Sequence, residues 1–421
     1  MVEKTVEVAK RLFTAVVMVL LFFAGTGIPE VMAQKSWIIK PGDNYADILD
    51  KLQPGDELIL HEGVYEGYAV MNNSGLPDKP VTIRGYGNGE NRPVLTWDGR
   101  RETLLQINGS NVIVDFLEFR SKYRYAIRLG VSGQGNNNVT IQNCLFYESG
   151  GGDISANALA DYDNIKILDN YFIGPKTTPV YVGQHDGKSS VTGFLFKGNV
   201  IDGSQIFGEN IIGYGIQLKL NVTGGVIENN FITNTQGPCI MVYGAEDSSP
   251  QNANIVRNNI VIGSRNNPGI VVGGGPSKVT GNLAIGCNGG ISIINYGNRN
   301  LLDNIVLKGN TAACNRNYGI SFGDLDDLTA IDNVVISSGN VNGYIRKPNP
   351  GTNNEIEYAS PGLETIINEQ LSNVIPERKN LNEIWQCLSS ARPLNQTGVL
   401  EIMELILEYS HPLKLPGKAG L

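Results

Sequence analysis

Charge is scarce in this chain of 421 residues: Asp, Glu, Lys and Arg together make up 18%, and the net charge is −8. An acidic chain with so few cations cannot neutralise a run of phosphates, which argues against a nucleic-acid partner. Histidine occurs three times, as His61, His185 and His411, and the five cysteines have no spacing that reads as a zinc site. Long apolar runs are missing too. The N-terminal stretch Leu12–Ala24 has 13 residues, against the roughly 20 that cross a bilayer. It follows Lys4, Lys10 and Arg11 and leads to Val31-Met32-Ala33 before Gln34, the order of a secretory signal peptide. Residues 1–33 are therefore read as a signal peptide cleaved after Ala33. The mature protein is expected to be secreted or periplasmic, with no membrane attachment.

The middle of the chain also lacks a helical apolar period. In its place stand Gly, 51 of 421 residues, well above an average share of about 7%, and short strand-like segments that end at an Asn. Aligning IQNCLF, ILDNYF, FLFKGNVI, VIENNF, IVRNNI, VTGNLA, LKGNTA and ISSGNVN superposes Cys144, Asn170, Asn199, Asn229, Asn258, Asn282, Asn310 and Asn340. The spacings are 26, 29, 30, 29, 24, 28 and 30 residues. Such self-similarity marks a repeat architecture, each unit burying its apolar face against its neighbours. Strand-length units make it a β-solenoid with coils about 4.8 Å apart. The recurrent Asn fits a sharp corner, because it tolerates the left-handed conformation and its amides can bond from coil to coil.

These coils, about 200 residues, resemble the parallel β-helix repeats of the pectate-lyase-like superfamily. The segments PGDELILHEGVYEG (54–67), PVTIRGYGNGENRPVLTWDG (80–99) and NVIVDFLEF (111–119) are similar, more narrowly, to the opening of chondroitinase-B and alginate-lyase type polysaccharide lyases. The expected fold is all-β: a right-handed parallel β-helix over 34–346, with a loop and a short helical cap or appendage over 347–421. Asn44–Leu52 reads as an amphipathic helix plugging the N-terminal end, as an open solenoid end requires. In the tail, Ser360-Pro361 and Asn380-x-x-Glu383 read as helix starts and Val399–Tyr409 as a helix. Cys287 and Cys314 each follow a ladder Asn, at offsets of five and four, and are expected to stack on adjacent coils. A disulfide is compatible with export, but two buried thiols are the reading adopted.

The strand after each ladder strand alternates, with Ile and the residue two later assigned to the core. One outer row then reads Arg128, Ser155, Tyr181, Gln217, Met241, Val271, Ser292, Ser321. The next reads Gly130, Asn157, Gly183, Lys219, Tyr243, Gly273, Ile294, Gly323. Groups able to do chemistry gather between Arg128 and Tyr243. Lys219, Tyr243 and His185 are the candidate catalytic residues, because β-elimination at a uronate needs a base, an acid and positive charge near the carboxylate. Gly183, beside Lys219, is expected to leave open space for a sugar ring. Arg124, Arg128, Asn157, Tyr181 and Gln217 are the candidate substrate-binding residues, with Arg120 and Lys122 in the same cationic stretch among Tyr123 and Tyr125.

The fragment IQLK, ending at Lys219, is similar to the I-S-x-K segment of the alginate-lyase family, which implies a catalytic Lys there. Where the family has an Arg on the next strand, this chain has Val242 and Tyr243. Where it has acidic calcium ligands just before the Lys, this chain has Gly213, Tyr214 and Gly215. Calcium is thus implied by the resemblance without its ligands. Asp324, Asp326 and Asp327 are acidic but lack the spacing of a calcium loop, so the cofactor stays open. The expected function is a lyase or C5-epimerase on a uronate-containing glycan, with an acidic polysaccharide or oligosaccharide as partner. The alternative is a non-catalytic carbohydrate-binding or structural β-helix protein. Oligomeric state is left open.

Overall fold

The structure, a computed structural model, describes residues 34–87, 91–203, 213–245, 249–299, 301–322, 328–339, 355–357, 363, 366–367, 371, 374–390 and 394–410. The signal-like segment, Asn340, the Asp324–Asp327 cluster, the loop at 347–351, Ser360-Pro361 and His411 lie outside these residues.

Chain alternation builds three parallel sheets of 14, 12 and 10 strands, here A, B and C in the order a coil visits them. One coil runs from Asn137–Gln142 in A through Leu145–Tyr147 in B to Ile154–Ala156 in C. Each strand pairs with its counterpart one coil on. This is a parallel β-helix of about ten turns, one per strand of sheet C. Its core is a column of inward residues, with Phe119, Phe146 and Phe172 stacked at centroid spacings of 5.0 and 4.8 Å.

The corner between A and B divides its work between two consecutive residues. Asn143, Asp169, Gly198, Asn229, Asn258, Gly281, Gly309 and Asp332 take the left-handed conformation, with φ between 53° and 67°. The next residue carries the ladder: Cys144, Asn170, Asn199, Asn230, Asn259, Asn282, Asn310, Asn333. Asn230 shows the pattern. Its Nδ2 donates to Asn259 Oδ1 at 2.9 Å and to the Phe196 carbonyl at 3.0 Å, and its Oδ1 accepts from the backbone N–H and the Nδ2 of Asn199. The amide is buried with every polar atom paired, as a buried amide must be.

The alignment expected from sequence therefore needs correction at three coils. Asn229 and Asn258 are the left-handed corner residues, and Asn230 and Asn259 are the rungs. The inward residues shift with them, to Ile227 and Ile232 and to Val256 and Val261. At the last coil the rung next to Asn310 is Asn333, which accepts from Asn310. The cysteines are corrected too. Over Cys287 stands Asn315, whose Oδ1 accepts the Cys287 N–H, while Cys314 is the left-handed residue before it. All five cysteines are free thiols.

At the N-terminal end the helix is a single turn, α1 (Ala46–Leu49), with Tyr45, Leu49 and Leu52 buried on the core. At the other end the β-helix outruns the expected limit of 346, because Glu355–Glu357 pairs with Val334–Ile336 in sheet B. Helix α2 (Arg378–Ser390) begins before Asn380, so Asn380 is not its cap. Helix α3 (Gln396–Glu408) is capped by Asn395, whose side chain accepts from the Gly398 N–H. Neither helix plugs the end of the solenoid. Leu381, Ile384, Leu388, Val399, Ile402 and Met403 pack instead on the outward face of sheet B, against Phe231, Ile260 and Leu283. Thr311 Oγ1 accepts from the Leu394 N–H at 3.2 Å and fixes the start of α3 to that face.

Candidate functional site

Sheet C keeps its outward face free of the helices, and its register is the one the alternation predicts. Arg128, Ser155, Tyr181, Gln217, Met241, Val271, Ser292 and Ser321 pair in succession. Two residues on, the Lys219 N–H bonds to the Val182 carbonyl and the Tyr243 N–H to the Leu218 carbonyl, so Gly183, Lys219 and Tyr243 are neighbours on successive coils.

Lys219 is the centre of the face. Its side chain ends under aromatic cover, with Nζ 4.1 Å from the Tyr243 ring centroid and 4.9 Å from that of Tyr181. Nζ donates to the Tyr243 hydroxyl at 3.0 Å. The residue is only 6% exposed, and no carboxylate among the described residues pairs with it. Burial, and after it the charge of Arg299, pull its pKa down to about 8. The Tyr243 phenol moves the other way: burial and the neighbouring Tyr296 push its pKa well above the ordinary value. Near neutral pH the pair thus combines an amine close to losing its proton with a phenol that keeps one.

Tyr296 meets the Tyr243 ring edge-on at 4.6 Å, and Tyr214 is part of the same cluster with Leu220, Met241 and Val271. His185 stands at the rim, exposed, its ring edge-on to Tyr243 at 6.4 Å, and its carbonyl accepts from Arg299 Nη2 at 3.4 Å. The structure thus brings Lys219, Tyr243 and His185 together. A cleft of about 360 Å³, lined by Asn157, Tyr181, Gln184, His185 and Asp186, opens beside them. Gln217 is buried in the floor below. Arg124 is elsewhere, exposed on the turn between sheets B and C, with Nε donating to the Arg100 carbonyl at 2.8 Å. Gly183 does not open space for a sugar as expected. A Cβ there would come within 3.1 Å of Val222 and 3.3 Å of the Lys219 stem, and its φ of +82° is the left-handed turn that favours glycine. Tyr214, Tyr296 and Arg299 were not among the candidate catalytic or binding residues read from sequence. They sit in turns of irregular length, where no register predicts a direction, and their only sequence signal is aromatic and cationic residues close to the same rows.

No protein-family model matches the chain, and no curated protein matches it either. Among solved structures, a mannuronic acid specific polysaccharide family 6 lyase from human gut microbiota aligns with a TM-score of 0.53 at 16% identity, over 89% of this chain and 98% of that one. The chain has that parallel β-helix fold. XylC in complex with xylose aligns at 0.50 with 10% identity, over 77% and 86%. The PL6 family alginate lyase AlyGC aligns at 0.46 with 15% identity, over 77% of this chain and 53% of that one. At such identities the likeness is one of fold.

The calcium implied by the resemblance finds no matching ligands among the described residues. Gly213, Tyr214 and Gly215 precede Lys219 without a carboxylate, and a Cβ on Gly215 would strike the Cys239 carbonyl at 2.4 Å. Among the described residues no three His, Cys, Asp or Glu side chains converge. The position of the family Arg is also filled differently, since Val242 faces the core and Tyr243 takes the outward place.

Proposed function

We propose that this chain is an exported polysaccharide lyase or C5-epimerase acting on a uronate-containing glycan, with Lys219 as its base. The observation that carries the reading is the Lys219–Tyr243 pair: a buried amine with a lowered pKa, no counter-ion among the described residues, and a phenol at 3.0 Å. In a lyase, neutral Lys219 takes the C5 proton, and the C–H electron pair passes into the carboxylate as an enolate. Those electrons then form the C4–C5 double bond as the C4–O bond breaks. The departing oxygen takes the Tyr243 proton, and Lys219 restores it across their hydrogen bond, so one proton moves in all from C5 to the leaving oxygen. The positive charge of Arg299, strong enough at Lys219 to help lower its pKa, stabilises the enolate. In an epimerase a second proton donor on the opposite face protonates C5, Lys219 passes the proton it removed to solvent, and the C4–O bond survives. The family 6 lyase fold and its mannuronate-directed member support an acidic polysaccharide as the substrate class.

A second reading, a non-catalytic glycan-binding protein, has one observation in its favour. Lys219 is 6% exposed between two tyrosine rings, and such rings also present a face on which a sugar stacks. A panel of acidic polysaccharides, with and without calcium, separates the readings by absorbance in the unsaturated-uronate band. A lyase makes that signal grow, with a rate that rises with pH and levels above about 8 as Lys219 loses its proton. An epimerase gives no absorbance but exchanges the C5 proton with solvent. Binding with neither signal establishes the second reading.

A further inference from the structure

Arg128 and Gln217, the outer-row partner on the Lys219 coil, are joined through Ser155 and Tyr181 in three coil steps. At about 4.8 Å a step the separation is about 14 Å, and a pyranose in an extended chain spans about one step. Arg128 points outward between the buried Ile127 and Leu129, half-buried itself. Its Nε is buried and has no hydrogen-bond partner among the described residues. Its polar neighbours on the floor are engaged: Gln106 donates to Asn108 Oδ1 and the Gly130 carbonyl, and Ser155 donates to Asn157 Oδ1. A desolvated guanidinium nitrogen without an acceptor is costly, and its planar fork matches a carboxylate. The cleft lies on the coils in between, at Asn157, Tyr181 and Gln184. Past Lys219 in the other direction, Met241, Tyr243 and Val271 are buried under Tyr296 and Leu301, which closes that end.

We propose that Arg128 is the far anchor of this groove: it binds the carboxylate of a uronate three sugar units from the one at Lys219, so that recognition needs a tetramer. The proposal rests on reading sheet C as a uronate-binding face. Calorimetry tests it on Lys219→Ala, which cannot turn the ligand over, against Lys219→Ala combined with Arg128→Ala, Arg128→Gln or Arg128→Lys. The ligands are homo-oligomers of mannuronate, guluronate and galacturonate from dimer to hexamer. The expected result is a gain in affinity between trimer and tetramer in the parent, lost roughly tenfold with Ala or Gln and partly kept with Lys, with dimer and trimer unaffected. Equal weakening at every length, or no weakening, overturns the anchor while leaving the uronate-binding face in place. Absence of binding by both wild type and Lys219→Ala at every length overturns both. Melting curves confirm that each variant is folded.

Discussion

Sheets B and C are made by the same coils, yet their outward faces have opposite fates. On sheet B the outward positions are Tyr171, Val200, Phe231, Ile260 and Leu283, and α2 and α3 cover them to form a second core. On sheet C they are Arg128, Ser155, Tyr181, Gln217 and Lys219, left clear of those helices and centred on an amine with no counter-ion among the described residues. The scaffold is the same on both sides, so the composition of one outer row decides between a packing surface and a chemical one. An apolar row gains by being covered. A polar row with a desolvated cation costs stability, and such a cost persists where function uses it.

Truncation tests that contrast most strongly. Phe231→Ala opens a cavity under the helices and should cost about 3–5 kcal/mol, whereas Tyr181→Ala on sheet C should stay within about 1 kcal/mol. Equal losses in denaturant titrations would remove the distinction between the faces. Lys219→Met probes the opposite sign. Because the Lys219 pKa is lowered to about 8 in the folded protein, the penalty for its burial is full below that pH. It is relieved as pH rises from about 8 towards the unfolded value near 10.4. Lys219→Met should therefore be more stable than wild type at pH 7, by up to about 3 kcal/mol, with the gain shrinking by pH 10. A loss of stability at pH 7 would make Lys219 a structural residue.

The smallest expected effect concerns the corner between sheets A and B. Asn230→Ala removes the side-chain acceptor of the Asn199 N–H and the side-chain donor to the Phe196 carbonyl and should cost roughly 1–3 kcal/mol. Asn229→Gly keeps the left-handed corner and should change stability by less than about 0.5 kcal/mol. Melting temperatures that rank the two the other way would return the rung to Asn229.

The same contrast explains what was legible in the sequence. On sheet C, core residues alternate with polar ones, so the outer rows from Arg128 to Ser321 could be read in register. On sheet B both faces are apolar, and alternation carries no information. In VIENNF and IVRNNI, either Asn of the doublet has an apolar residue three before and two after it, and only the hydrogen bonds of Asn230 and Asn259 choose. The helices of the tail were legible as helices, but their apolar sides do not say which surface they cover. Lys219 and Tyr243 were legible because strands fix their direction. The surroundings that give Lys219 its lowered pKa were not, since Arg299 and Tyr296 arrive from a turn two coils away from Tyr243.

Turnover by Lys219→Ala decides whether Lys219 is the base of a uronate-processing site. On whichever acidic polysaccharide the wild type converts, the variant should fold, bind the glycan with near wild-type affinity, and produce neither unsaturated-uronate absorbance nor C5 proton exchange. Turnover by Lys219→Ala at the wild-type rate would contradict that role.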